Sequence, residues 1–183
     1  MDNYQEKLDI VNEDDNIIGQ DTRENIHQHG LLHREIHVIV YNDKGEILFQ
    51  KRAKDKDICG GLLDVSVGGH VDLGEDYEEA AIKELEEETG ISVDRKCLVF
   101  LEKKRSNYSE QNTGRINNTY RSIYSYKYNG DVKDLKVEKG KADSLEFWSL
   151  DDILNLTEEN KKMFIDKFIS GGYLEIYKEL LNK

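Results

Sequence analysis

Three glutamates near the middle of the chain have the spacing of a metal site. Glu84, Glu87 and Glu88 stand at positions i, i+3 and i+4, so on a helix their carboxylates leave from one side. On a helical wheel they lie at the rim of an apolar arc, beside the small Ala80. Carboxylate oxygens are ligands that Mg²⁺ or Mn²⁺ prefers, and Mg²⁺ keeps waters that a substrate phosphate can displace. The spacing indicates a divalent-cation site that handles phosphate.

The segment that carries these glutamates is strongly acidic. Between residues 75 and 88, Lys83 stands alone against eight acidic residues: Glu75, Asp76, Glu78, Glu79, Glu84, Glu86, Glu87 and Glu88. Like charges three and four positions apart destabilise a helix, so a positive partner is expected. Two interpretations stay open: a solvated acidic helix, which charge alone favours, and a helix that holds a divalent cation.

The ends of this helix are marked in the sequence. Asp76 can cap its N-terminus, with Glu79 as the capping-box partner three residues later. Gly90 suits the left-handed position after the last turn. Ala81 and Leu85 fall on the apolar arc that would face the core.

The pattern over residues 69–91 resembles the Nudix box. Gly69 is followed by five residues and Glu75, then by seven residues and the run KELEEETGI. The family motif is G, five residues, E, seven residues, then R-E-hydrophobic-x-E-E-x-G-hydrophobic; the one departure is Lys83 in place of arginine. Lysine keeps the charge but lacks the two-pronged grip of a guanidinium on a carboxylate. The resemblance implies an α/β fold, the Nudix α/β/α sandwich with a mixed β-sheet, as a single domain over residues 1–183.

The resemblance also implies a mechanism. Gly69, Glu84, Glu87 and Glu88 would hold Mg²⁺, with Mn²⁺ as the alternative, and a glycine at 69 would let a backbone carbonyl approach the metal. Glu84, Glu87 and Glu88 would be the catalytic residues of a hydrolase that cuts a pyrophosphate bond in a nucleoside diphosphate linked to another moiety. The general base would be a glutamate of this cluster or Glu110, and the sequence leaves that choice open.

A basic segment precedes the box. Lys51 to Lys56 reads KRAKDK, the densest positive patch before the acidic helix. Arg52 and Lys56 would bind the diphosphate, because arginine grips phosphate oxygens in pairs and lysine supplies a point charge. The alternative is ordinary solvated charge at the end of a hairpin.

A wider resemblance, over residues 7 to 150, points to the Nudix branch related to isopentenyl-diphosphate isomerase. It is carried by LDIVNEDDNIIGQDTRE, HGLLHREIHVIVYN, ILFQKRAKDKD and GGHVDLGE. His37 and His70 match metal-ligand positions of the isomerase, but Gly68 stands where the isomerase has its catalytic cysteine. The paired glutamates of a later isomerase strand match nothing acidic in residues 116–119, whereas Glu84 restores a carboxylate that the isomerase lacks. We therefore expect hydrolase chemistry, with isomerisation or non-catalytic sensing of a nucleotide or metabolite as alternatives.

A second group of residues invites a metal hypothesis. The stretch HQHGLLHREIH contains His27, His29, His33 and His37. Their order is irregular, so we favour the interpretation that His27 and His29 lie on a loop surface and that His37 opens a strand.

Apolar periodicity and turn residues predict the remaining elements. We expect an N-terminal hairpin over 6–20, a short helix from Asp21 or Thr22 to His27, and a C-terminal helix over 158–181, single or broken at Gly171-Gly172. The expected strands are 35–42, 46–52, 62–67, 96–103, 119–128 and 145–150, with a mobile loop over 104–118. Tyrosines that share one face of 119–128 are expected to pack across strands rather than to stack on a base.

The composition of the chain limits which kinds of molecule it is expected to bind. The chain has 183 residues, a net charge of −12, two cysteines and no proline. The negative charge argues against a broad nucleic-acid or membrane surface. Two isolated cysteines and the absence of a signal sequence favour a cytoplasmic protein. We expect a small-molecule diphosphate as substrate, and a homodimer only from the family resemblance. The sequence leaves open which diphosphate binds, how many metal ions are held and the oligomeric state.

Overall fold

The computed structural model describes residues 4–109 and 113–181, which form nine strands and five α-helices. The strands are β1 (Lys7–Val11), β2 (Ile17–Thr22), β3 (His33–Tyr41), β4 (Glu46–Arg52), β5 (Leu63–Asp64), β6 (Val67–His70), β7 (Val99–Ser109), β8 (Ile116–Lys127) and β9 (Ala142–Ser149). The α-helices are α1 (Arg23–His29), α2 (Tyr77–Thr89), α3 (Leu150–Leu154), α4 (Glu158–Lys161) and α5 (Gly171–Leu181).

The strands form two sheets. β1 and β2 make an antiparallel pair, as expected for the N-terminal hairpin. The other seven strands form one mixed sheet with the order β5-β4-β3-β8-β7, in which β6 also pairs with β3 and β9 with β4. The predicted α/β class is confirmed. Within the described part of the chain, no helix is long and apolar enough to cross a membrane.

The chain divides into two compact units. The first contains Met1–His37, Gly68–Glu84 and Val93–Tyr124, and its buried side chains include Leu8, Ile26 and Ile123. The second contains Val38–Val67, Leu85–Ser92 and Ser125–Lys183. Its interior includes Phe49, whose ring meets Tyr177 of α5 edge to face at 6.0 Å. That one Nudix domain spans residues 1–183 stays a prediction.

Helix α2 begins and ends as the sequence predicts. Asp76 Oδ1 accepts a hydrogen bond from the Glu79 backbone N–H at 2.8 Å, and Glu79 Oε2 accepts from the Asp76 N–H at 3.1 Å. This reciprocal pair is the capping box. After the last turn, Gly90 adopts φ +73° and its N–H donates to the Glu86 carbonyl at 2.8 Å. Ala81 and Leu85 are fully buried, so the apolar arc faces the core.

The expected mobile loop over 104–118 is mostly strand, because β7 runs to Ser109 and β8 begins at Ile116. The prediction is wrong because it rests on the polar residues of this stretch, which are typical of a loop. In the structure they form hydrogen bonds between β7 and β8: Asn117 Nδ2 donates to the Tyr108 hydroxyl at 3.3 Å. On β8, Tyr124 is buried and packs edge to face on Phe100, which agrees with the packing role expected of the tyrosines.

The predicted C-terminal helix over 158–181 is wrong as one element. Helix α4 ends at Lys161, and the Leu63 N–H then donates to the Met163 carbonyl at 2.7 Å. Phe164 forms a parallel bridge with Leu63, so this stretch is extended backbone beside a strand. The predicted break at Gly171-Gly172 is instead where α5 begins.

The turn of the N-terminal hairpin is held by one carboxylate. Asp15 adopts φ +61°, a left-handed conformation that aspartate and asparagine tolerate better than most residues. Its side chain pairs with Arg34 at 2.8 Å, accepts from the Tyr77 hydroxyl at 3.0 Å and contacts Lys103. Burial alone would raise the pKa of Asp15, but Lys103, Arg34 and Tyr77 outweigh burial and lower it. The turn is thereby tied to β3, α2 and β7.

We expect Asp15→Asn to lower the free energy of unfolding at pH 7 by about 2 kcal/mol, because two cations lose their partner while asparagine keeps the backbone conformation. Since the folded-state pKa is lowered, the aspartate's contribution is present above its ordinary pKa of 3.8 and is lost as pH falls through the folded-state pKa. Denaturant unfolding at pH 7 and in acid measures both effects.

Asp14→Asn is the matched control, since Asp14 is an exposed carboxylate in the same turn. A stability difference between Asp15→Asn and wild type that does not shrink in acid would contradict the assignment.

Candidate active site

Gly69 and Glu84 are adjacent in space as well as in the motif. Gly69 lies on β6, and a Cβ built at this position would overlap the carboxylate of Glu84 on α2. The glycine therefore leaves room for that carboxylate. We expected the missing side chain to let a backbone carbonyl approach the metal, and the structure shows that Glu84 uses the same space. Both donors are hard oxygens, a set that fits Mg²⁺.

The other two glutamates of the motif have different environments. Glu87 is exposed, whereas Glu88 is buried with 3% of its surface exposed. Glu88 Oε2 accepts from Gln50 Nε2 of β4 at 2.8 Å, and Glu88 Oε1 forms an ion pair with Lys141. A carboxylate this deeply buried requires a countercharge or hydrogen bonds to stay ionised. Lys141 was not identified from the sequence, because nothing local links it to the helix.

Two other cations offset the carboxylates around the start of α2. Arg95 pairs with Glu79 at 2.5 Å and lies 3.4 Å from Asp76. Lys83 contacts Asp72 and lies 3.4 Å from Glu75. Burial opposes the charged form of Lys83, but the two carboxylates outweigh burial and raise its pKa. The positive partner that the acidic segment requires is thus supplied in part by side chains of the protein.

The proposed phosphate-binding residues lie at and after the end of β4. Arg52 Nη1 pairs with Asp64 at 2.8 Å and Arg52 Nε donates to the Ile58 carbonyl at 3.1 Å. These contacts fix the plane of the guanidinium. Lys56 follows in the next turn, where its N–H donates to the Ala53 carbonyl at 3.1 Å. Glu110, the alternative base, lies outside the described residues.

Three histidines form a cluster that the sequence did not reveal. One nitrogen from each of His27, His33 and His70 lies within 4.8 Å of the others, and His27 Nε2 is 3.2 Å from His70 Nε2. The prediction that His27 lies on a loop surface is wrong, since it is buried on α1. His70 groups with His27 and His33, whereas His37 is buried 4.0 Å from Glu35.

The cluster is suited to binding a metal. His33 Nδ1 is hydrogen-bonded to the Leu31 carbonyl at 3.0 Å, which makes Nε2 the nitrogen with the lone pair. That Nε2 is buried and has no hydrogen-bond partner among the described residues. Burial lowers the pKa of His27 to about 4 and also lowers the pKa values of His33 and His70. All three imidazoles are therefore neutral at pH 7, the form that coordinates zinc or cobalt.

Comparison with known proteins decides the family. The family model of the NUDIX domain matches residues 31–168. The chain belongs to the Nudix family. An uncharacterized Nudix hydrolase of Yersinia pestis is 42% identical over 87 residues, which are 48% of this chain and 48% of that protein. The match thus spans about half the length of this curated relative, and the family agrees with the predicted enzyme class.

Two further comparisons cover most of the chain. An isopentenyl-diphosphate Delta-isomerase of Serratia proteamaculans is 31% identical over 178 residues, 96% of this chain and 91% of that protein. The crystal structure of DR0079 from Deinococcus radiodurans has a TM-score of 0.66 at 22% identity, covering 95% of this chain and 98% of that one. The expected Nudix fold and the likeness to the isomerase branch are both confirmed.

We expect the histidine cluster to bind a transition metal such as Co²⁺, because three neutral imidazole nitrogens converge there. Titration of the purified Nudix protein with Co²⁺ should produce visible absorption bands, and His33→Gln and His70→Gln should each abolish them.

His29→Gln is the matched control, because His29 is exposed on the same helix as His27 and contacts the Asn25 carbonyl. Equal Co²⁺ spectra in His33→Gln and wild type would show that the cluster is only a packed group of rings.

Proposed function

We propose that the protein is a cytoplasmic, Mg²⁺-dependent Nudix hydrolase, with Mn²⁺ as the alternative metal. Its substrate is a nucleoside diphosphate linked through the pyrophosphate to another moiety. The observation that carries this proposal is the Glu84 carboxylate packed against the backbone of Gly69, on the helix that also presents Glu87 and Glu88 one turn later. All three motif carboxylates are present in the sequence. The position of Glu84 is restricted because its carboxylate packs against Gly69.

In this proposal the side chains have different roles, which follow from their environments. Gly69, Glu84, Glu87 and Glu88 would hold Mg²⁺, which when bound would neutralise diphosphate charge and lower the pKa of a water. Glu84 and Glu88 are held by their surroundings and so fix the ligand geometry. Glu87 is exposed and accepts the proton of the attacking water. A new P–O bond forms to that water as the bridging P–O bond breaks, and the leaving phosphate departs with the bridging oxygen.

Arg52 and Lys56 bind the diphosphate in this proposal. Asp64 and Ile58 hold the Arg52 guanidinium in one plane, which suits two-pronged contact with phosphate oxygens. Lys56 adds positive charge in a chain whose net charge of −12 would otherwise repel the substrate.

Isomerisation of an allylic diphosphate is the second candidate. It is favoured by the histidine cluster and by the Serratia proteamaculans isomerase that the chain resembles over most of its length. Gly68 opposes it, because glycine has no thiol to move a proton at the position of the catalytic cysteine.

One assay separates the candidates. The protein is incubated with nucleoside di- and triphosphates, dinucleotides, nucleotide sugars, coenzyme A and isopentenyl diphosphate, with Mg²⁺ and with EDTA. We expect Mg²⁺-dependent release of phosphate-bearing products from one class. Dimethylallyl diphosphate formed from isopentenyl diphosphate would establish the isomerase, and ligand-induced thermal shifts without turnover would establish a binding protein.

We expect Glu84→Gln and Glu88→Gln each to lower kcat/KM by at least about 100-fold, since each removes a charge that holds the metal. Steady-state kinetics on the substrate found in the assay measures this. Glu86→Gln is the matched control, because Glu86 is exposed on the same helix and lies outside the proposed ligand set. Unchanged turnover in Glu88→Gln would refute the ligand assignment.

Arg52→Lys tests the diphosphate contact. We expect KM to rise about tenfold with a smaller change in kcat, because lysine keeps the charge but loses the paired hydrogen bonds. Lys54→Met serves as the control, since Lys54 is exposed in the same basic segment. A KM increase in Lys54→Met without one in Arg52→Lys would mean that general positive charge, rather than the paired hydrogen bonds of Arg52, attracts the substrate.

A further inference from the structure

Lys141 is placed on Glu88 by the pairing of two strands. It directly precedes β9, whose Ala142 pairs with Arg52 of β4. The Lys141 carbonyl accepts from the Ala53 N–H at 3.0 Å, and its own N–H donates to the Glu138 carbonyl at 3.1 Å. The backbone of Lys141 is therefore fixed at the end of β4, and its ammonium contacts Glu88 Oε1.

The Lys141 ammonium neutralises the buried charge of Glu88. The Glu88 side chain is 2% exposed, and its second oxygen accepts a hydrogen bond from the neutral amide of Gln50. A buried carboxylate that lacks a countercharge is strongly unfavourable, and the Lys141 ammonium supplies that charge. The Lys141 side chain is 25% exposed, so its flexible stem borders solvent while its head reaches the buried oxygen.

We infer that Lys141 is an internal counter-ion that competes with the divalent metal for Glu88 and so sets the metal affinity of the site. The inference rests on the proposed role of Glu88 as a metal ligand. An ammonium and a divalent cation repel each other at one carboxylate oxygen. Metal binding therefore displaces the Lys141 head toward solvent, while the charge of Glu88 stays compensated throughout. Lys141 is a positioning residue, because it acts through Glu88.

A counter-ion that competes with the metal and a purely structural ion pair have different consequences for stability and metal binding. If the pair were only structural, loss of Lys141 would weaken the fold by the same amount with and without metal. If Lys141 competes with the metal, loss of Lys141 weakens the fold mainly without metal, and the metal binds more tightly because no cation has to leave.

The test uses calorimetric titration with Mg²⁺ and Mn²⁺, together with melting temperatures with and without Mg²⁺. Lys141→Met keeps most of the stem and removes the charge. We expect its metal Kd to fall about tenfold. Its melting temperature without metal should fall by about 10 °C, and Mg²⁺ should restore most of this loss.

Lys133→Met is the matched control, because Lys133 is 85% exposed and pairs only loosely with Asp131 at 3.8 Å. It should leave metal affinity and melting temperature unchanged. In a Glu88→Gln background, Lys141→Met should no longer lower the melting temperature without metal, since no buried charge remains to compensate.

Each outcome decides a separate point. If wild type binds Mg²⁺ through Glu88 but Lys141→Met binds it no more tightly, the inference is overturned and the proposed function stands. If Mg²⁺ binding to wild type is the same in Glu88→Gln, the ligand assignment and the inference fail together. Should Lys141→Met not fold without metal, Lys141→Gln is tested too: rescue of folding by Mg²⁺ supports the exchange, and failure in both conditions overturns it.

Discussion

The negative charge gathered on α2 is the constraint on which the rest of the site depends. A helix that collects carboxylates for a metal repels itself, and its own sequence contains a single lysine. The fold supplies the missing charge from elsewhere in the chain. Arg95 pairs with Glu79 in the first turn, and Lys141 reaches the buried carboxylate near the end. The helix is therefore stable only in its tertiary setting.

Local features of the site could be read from the sequence because local geometry determines them. The capping box of Asp76 and Glu79, the turn at Gly90 and the alignment of Glu84 with Glu88 depend on residues less than five positions apart. The partners Arg95 and Lys141 could not be read in this way. Arg95 is 16 positions from its partner Glu79, and Lys141 is 53 positions from its partner Glu88. The turn after α2 folds Arg95 back onto the helix, and the pairing of β9 with β4 places Lys141 there.

The wrong predictions for other elements also result from contacts between residues that are distant in sequence. The polar stretch after Lys103 resembles a loop until β8 is known to lie beside it, because side chains such as Asn117 pair across the strands. The sequence places His27 in a surface stretch, but β6 brings His70 beside it. The segment after Lys161 has helical periodicity, yet hydrogen bonds with Leu63 hold it extended. In each case a contact that is distant in sequence overrides a local preference.

The Asp15 turn also determines how the N-terminal hairpin opens. A two-stranded hairpin is marginally stable alone, and β2 is largely exposed. The carboxylate of Asp15 nevertheless joins the hairpin to Arg34, Tyr77 and Lys103, so the turn cannot detach without breaking charged contacts to three other elements. Its amide hydrogens should therefore exchange with solvent in step with those of the first turn of α2, as one cooperative unit rather than as a frayed end. The N-terminal hairpin is thus part of what keeps the helix of Glu84, Glu87 and Glu88 folded.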